Sequence, residues 1–118
     1  MSKLFQSDAL GGEIALVTGA SRGIGASIAA VLAEAGATVV GTATSQSGAD
    51  AISKALDGKG RGIVLDVADD ESVQAAVKDV QASEGSPTIL VNNAGITRDN
   101  LLMRMKQDEW DDVLATNL

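Results

Sequence analysis

IALVTGASRGIGASIAAVLAEAG, residues 14–36, holds a strand, a turn and a helix in immediate succession. Ile14–Val17 is a short apolar run of the kind that forms a buried strand. Ile28, Val31, Leu32 and Ala35 then recur at i, i+3, i+4 and i+7, one face of an α-helix, and Gly36 follows as a stop. The same alternation continues along the chain. Thr38–Val40, Gly62–Leu65 and Ile89–Val91 read as further strands. Ile52 and Leu56 mark a shorter helix between them, and Val73, Ala76, Val77 and Val80 repeat the helical spacing. Asp69, Asp70 and Glu71 precede that last stripe, where carboxylates cap free N–H groups and suit the helix dipole. Strands that alternate with helices imply a parallel sheet, with right-handed crossovers placing helices on its faces. The expected fold class is therefore α/β, a doubly wound parallel sheet, whose ligands bind beyond the carboxyl ends of the strands.

Composition narrows the chemistry. The chain has 118 residues, 45% of them hydrophobic, so a packed core is expected and disorder is not. There is one Trp, one Phe and no Tyr, which leaves Val, Ile, Leu and Ala to build that core. The absence of Cys and His excludes a disulfide framework, a thiolate nucleophile, a His base and the usual zinc ligand sets. The net charge is −7, with 4 basic and 5 acidic residues up to position 60 and 5 and 11 beyond it. An acidic chain without a basic tract argues against a nucleic-acid partner. No apolar run reaches transmembrane length and the first residues, MSKLFQSDALGGE, contain no signal-peptide core. A cytoplasmic protein without a membrane partner is the expectation.

Gly19, Gly23 and Gly25 lie between the first strand and the first helix. Glycines there permit a tight turn, close backbone approach to a pyrophosphate, and close packing of helix on strand. The helix N-terminus adds free N–H groups and positive potential for the anion. A glycine-rich turn also occurs as a packing device alone. The spacing here is GxxxGxG, and TGASRGIG at 18–25 resembles the TGxxxGxG fingerprint of the short-chain dehydrogenase/reductase family. NNAG at 92–95 and Asp66 after the third strand resemble two further motifs of that family. Within it, GTATS at 41–45 and NNAGITRDNLLMRMKQDEWDDVLATNL at 92–118 are similar to the bacterial 3-oxoacyl-[acyl-carrier-protein] reductase branch. All but about the first ten residues share this resemblance, which implies a Rossmann fold.

The nicotinamide cofactor is read from the loop after the second strand. Folds that bind NAD place an Asp or Glu there to hold the ribose 2′-OH, and that carboxylate repels a 2′-phosphate. Gly41–Ser45 contains no acid, Arg22 offers a guanidinium, and Thr44 and Ser45 offer hydroxyls, so the expected cofactor is NADPH. Taken alone, Arg22 also reads as a solvated loop charge and Thr44 as ordinary turn chemistry. The resemblance implies that Gly19, Ser21, Arg22, Gly23, Ile24, Gly25 and Thr44 hold the cofactor's phosphates. It implies that Asp66 and Val67 contact adenine, through the carboxylate and a backbone N–H, although Asp66 also reads as a loop acid. Asn93, Ala94 and Gly95 are implied to line the adenosine ribose, while Asn92 ties strands together.

Trp110, Val113 and Leu114 form a stripe whose i+7 position is Asn117. A polar amide on an apolar face needs partners, so by pattern Asn117 is either a satisfied core residue or functional. The resemblance implies that it is the catalytic Asn, whose backbone holds a water in a proton relay. The implied reaction is hydride transfer from NADPH to a 3-oxoacyl group on acyl carrier protein, with a Ser, a Tyr and a Lys that all lie beyond residue 118. An acetoacetyl-CoA reductase and a non-catalytic NADP(H)-binding module are the competing readings. Arg98, Arg104 and Lys106 read either as an attraction for an acidic carrier or, more simply, as loop charges paired with Asp99, Asp108 or Glu109. The resemblance also implies a homotetramer. Glu109 to Leu118 reads as the start of a helix without a stop, after a loop, and the fourth strand is expected to have a bare outer edge. Residues 1–118 are accordingly expected to be the N-terminal part of one dinucleotide-binding domain, inactive alone and poorly soluble or loosely packed.

Overall fold

The computed structural model of the chain describes residues 9–66 and 68–93 and the strand at 101–104. The elements run β1 (Ile14–Val17), α1 (Gly23–Glu34), β2 (Thr38–Ala43), α2 (Gln46–Leu56), β3 (Gly60–Val64), α3 (Asp70–Ser83), β4 (Ile89–Asn92) and β5 (Leu101–Arg104). They form one sheet in the order β3-β2-β1-β4-β5. β1 pairs in parallel with both β2 and β4, and β2 with β3. The chain therefore grows outward from β1 to β3, then crosses back to place β4 on the other side of β1. The doubly wound α/β fold expected from the alternation is the one observed.

The strands are apolar on both faces because both faces are covered. Side chains alternate along a strand, so odd and even positions enter different layers. Ala15, Val17, Val39, Ala43, Ile89 and Val91 pack with α1 and α2, through Ala29, Ala33, Ile52 and Leu56. Leu16, Val40 and Leu90 pack with α3, through Val73, Ala76, Val77 and Val80. Leu16 and Leu90 are fully buried, each contributing about 1.5–3 kcal/mol of transfer free energy.

The helix ends follow local chemistry. Ser45 caps α2 by accepting the Gly48 N–H at 3.1 Å. Asp69 caps α3 by accepting the N–H groups of Glu71 and Ser72 at 3.0 and 3.5 Å, as the acidic run suggested. α1 stops in a Schellman arrangement: Gly36 N–H donates to Ala33 O and Ala37 N–H to Leu32 O, both at 3.1 Å, with Gly36 at φ 102°.

Two expectations are corrected. The first concerns α1, whose buried residues are Gly25, Ala29 and Ala33 rather than the stripe Ile28, Val31, Leu32 and Ala35. Val31 is exposed, and Ile28 and Leu32 flank the contact. Small residues let the helix axis approach the sheet, and close packing outweighs the burial of one larger side chain. Ala35 is buried, but as the C-cap after the last turn. The second concerns β4, whose outer edge is not bare. β5 pairs with it antiparallel, Asn92 opposite Leu101 and Ile89 opposite Arg104. The stretch read as a loop between NNAG and the last helix thus contains a strand, and β4 gains the partner that an exposed edge otherwise lacks.

At the opposite edge, β3 is tied to α3 by charge. Arg61 donates to both carboxylate oxygens of Glu84, at 2.7 and 3.1 Å, and to Asp79 at 3.1 Å. Chiefly through the bond to Glu84, the guanidinium is held further above its already high pKa. A raised pKa contributes its stability below the unfolded value, so this share is complete at any ordinary pH and is lost only in strong alkali.

Candidate functional site

The strand order reverses between β1 and β4, and this is where a doubly wound sheet opens a crevice at its carboxyl end. Thr18, Thr42 and Asn92 are the buried polar residues among those described, and all three lie at the carboxyl ends of β1, β2 and β4. Each is hydrogen-bonded, as burial of polar groups requires. The Thr18 hydroxyl donates to Asn92 Oδ1 at 3.0 Å, and the Thr18 N–H donates to Val91 O at 3.0 Å. Asn92 thus ties β4 to β1 where the two strands end.

The turn above this tie is held from both sides. Gly19 N–H donates to Thr42 Oγ1 at 3.3 Å and Ala20 N–H to Thr42 O at 2.8 Å. Just past the end of β4, Asn93 Nδ2 donates to Gly19 O at 3.2 Å. Gly19 and Gly23 have φ of 63° and 64°, in the left-handed region where a side chain is strained. Gly25 is buried beneath the turn, where a Cβ would collide with the Gly19 carbonyl oxygen and stand 2.7 Å from Asn93 Nδ2. Its lack of a side chain lets the first turn of α1 sit directly against Gly19.

This arrangement leaves the start of α1 open to an anion. Arg22 occupies the N-cap position, no side chain caps the helix, and its first turn contains no acid. Ser45 and Asp69 cap α2 and α3. An uncapped N-terminus keeps its N–H groups and its positive potential for a ligand. Ser21, Arg22, Gly23 and Ile24 are all exposed around it, Ile24 at 63%. The first turn of α2 lies alongside, since a Cβ on Gly48 would stand 3.5 Å from Ser21 Cβ. Thr44 is exposed on the loop between β2 and α2, and the neighbouring Ser45 oxygen is engaged by its helix.

Asp66 is exposed just after β3, and its Oδ1 accepts the Ala68 N–H at 3.0 Å. One of its carboxylate oxygens therefore shapes the turn into α3. Asn93 is half-buried and faces Gly19. Val67, Ala94, Gly95 and Asn117 lie outside the described residues, as do Arg98 and Lys106. Thr42 is the residue of this cluster that sequence reading missed. Its one signal is a hydroxyl inside the otherwise apolar and glycine run VVGTA, at 39–43. A surface hollow of about 490 Å³ lies at the opposite end of the strands, between Ala37, Gly60, Arg61 and Glu84. It is open and contains the Arg61–Glu84 pair, and the fold places ligands at the other end.

Residues 13–118 match the family model for the short chain dehydrogenases. With that match over the fold and crevice described above, the chain belongs to the short-chain dehydrogenase family. It is 62% identical over 109 residues to the 3-oxoacyl-[acyl-carrier-protein] reductase FabG of Vibrio harveyi, covering 92% of this chain and 45% of that protein. Against the enzyme of the same name from Escherichia coli K12 it is 59% identical over 107 residues, covering 91% and 44%. Against that of Pseudomonas aeruginosa it is 60% identical over 112 residues, covering 92% and 45%. The chain thus spans somewhat under half the length of the curated relatives it matches. No helix among the described residues is long and apolar enough to cross a membrane.

Proposed function

We propose that this chain supplies the NADPH-binding part of a cytoplasmic 3-oxoacyl-[acyl-carrier-protein] reductase. The observation that carries the reading is the uncapped, acid-free start of α1, set beside a β2–α2 loop that also contains no acid. An NAD-type site needs a carboxylate on that loop, and Gly41–Ser45 has none. The relatives' name supports the substrate, a 3-oxoacyl group carried by acyl carrier protein, and a homotetramer is the assembly we propose for the whole enzyme.

In this reading the backbone N–H groups from Ser21 to Gly25 hold the pyrophosphate, with Ile24 in the first turn and Gly19 setting its entry. Arg22 and Thr44 hold the 2′-phosphate, the guanidinium by charge and the hydroxyl by donation. Asp66 offers its second carboxylate oxygen to the adenine amine, and the Val67 N–H an adjacent donor. Asn93, Ala94 and Gly95 line the ribose, and Asn117 holds the relay water through its backbone. NADPH, when bound, supplies the hydride that reduces the ketone. The residues of this chain bind and orient it, and the proton donor is not among them, because the chain contains no Tyr.

The test is the affinity of the chain for NADPH and NADH, with and without the paired changes Arg22→Ala and Thr44→Ala. Wild type is expected to prefer NADPH by tenfold or more, since charge-assisted hydrogen bonds are worth about 1.5–3 kcal/mol. The double variant is expected to lose that preference. Equal binding of both nucleotides by wild type, left untouched by the double change, would sink the assignment.

A further inference from the structure

We propose that Thr42 is a positioning residue for the pyrophosphate turn, acting through Gly19 and touching no ligand itself. This rests on the cofactor reading above and deepens it.

The ladder between β1 and β2 ends at Val17 opposite Gly41. Beyond it the chain of β1 turns away, yet the next residue of β2 keeps hold of it twice. The Thr42 hydroxyl accepts the Gly19 N–H and the Thr42 carbonyl accepts the Ala20 N–H. Gly19 O is taken at the same time by Asn93. Both peptide groups of Gly19 are therefore pinned, one from β2 and one from just past β4, across a residue whose own backbone is the freest of all. A glycine at φ 63° without these two holds has many orientations open to it. With them, the following residues start from a single direction, and the N–H groups of α1 are aimed before any anion arrives. That is preorganisation, which improves affinity by removing an ordering cost.

Thr42 is 1% exposed, so no phosphate reaches its hydroxyl. Its effect on binding must pass through the turn. Because the turn serves the pyrophosphate, which NADPH and NADH share, loss of the hydroxyl weakens both nucleotides by the same factor. This separates Thr42 from Arg22 and Thr44, whose loss erases the preference between them.

The experiment uses the whole 118-residue chain with Thr42→Val, which keeps shape and removes the acceptor, and Thr42→Ser, which restores it. Dissociation constants for NADPH and NADH are measured by titration, and amide exchange at Gly19 by NMR. Thr42→Val is expected to weaken both nucleotides roughly tenfold, about 1.4 kcal/mol. Its Gly19 amide should exchange faster while that of Val40 is unchanged. Thr42→Ser should stay within about twofold of wild type. Wild-type affinity in Thr42→Val, a loss confined to NADPH, no rescue by Ser, or unchanged Gly19 exchange each overturns the proposal. A wild-type chain that binds neither nucleotide overturns the cofactor reading and this inference with it. If Thr42→Val does not fold, Gly19 exchange in wild type against Thr42→Ser decides: an unprotected Gly19 amide in wild type refutes the anchor, and protection in both supports it.

Discussion

Gly25 shows how much one absent methyl group can hold in place. The atom that a side chain would strike is a backbone oxygen of the turn, which cannot swing aside as a flexible side chain would. Gly25→Ala is expected to cost about 1–3 kcal/mol of stability, as overpacking does, and to weaken NADPH binding by more than tenfold. Thermal melts and the same titrations check both; unchanged affinity would show that the turn tolerates displacement. At this scale the spacing of Gly19, Gly23 and Gly25 was readable because each glycine answers a local need of the turn. The holds on Gly19 were not readable. They come from Thr42 and Asn93, 23 and 74 residues away, and a hydroxyl in a strand or an amide in a loop looks the same whether or not it meets a partner. Asn92 was legible as a tie between strands, and the Thr18 hydroxyl is one of its partners.

The order of the first seven elements was readable from period alone, because strands buried on both faces and amphipathic helices leave different patterns. Their ends were less so. β3 begins at Gly60 where apolar spacing suggested Gly62, and β2 extends to Ala43 where it suggested Val40. Ladder bonds, not side chains, set those ends. The face of α1 was misread because Val31 looks like core and Ala29 does not, until the distance between helix and sheet is known. β5 escaped notice for a different reason: Leu101–Arg104 has no alternation, and the available edge of β4 makes it a strand. That pairing is open to a test. Leu102→Pro, opposite Val91, constrains the backbone of β5 and takes away a donor. The variant is expected to melt lower and to associate at higher concentration, by scattering or sedimentation, whereas a monomer of unchanged melting temperature would show that β5 contributes nothing.

At the scale of the whole molecule, binding and turnover are expected to separate. The chain presents an anion-ready turn at one end of its sheet but contains no Tyr to protonate a reduced ketone. It is expected to bind NADPH and to leave a 3-oxoacyl thioester unreduced; steady oxidation of NADPH at 340 nm on adding substrate would contradict this. Its two sheet edges are also managed differently. On the β3 side the Ser53 hydroxyl takes the Gly62 N–H at 2.8 Å, a side-chain answer that withdraws one donor from that edge. On the β4 side the answer is a strand of this chain, run in reverse. Any further strand beside β4 would need the row of backbone groups that Leu101–Arg104 already uses. The berth is taken, and whatever would pair with β4 on this side must first displace β5.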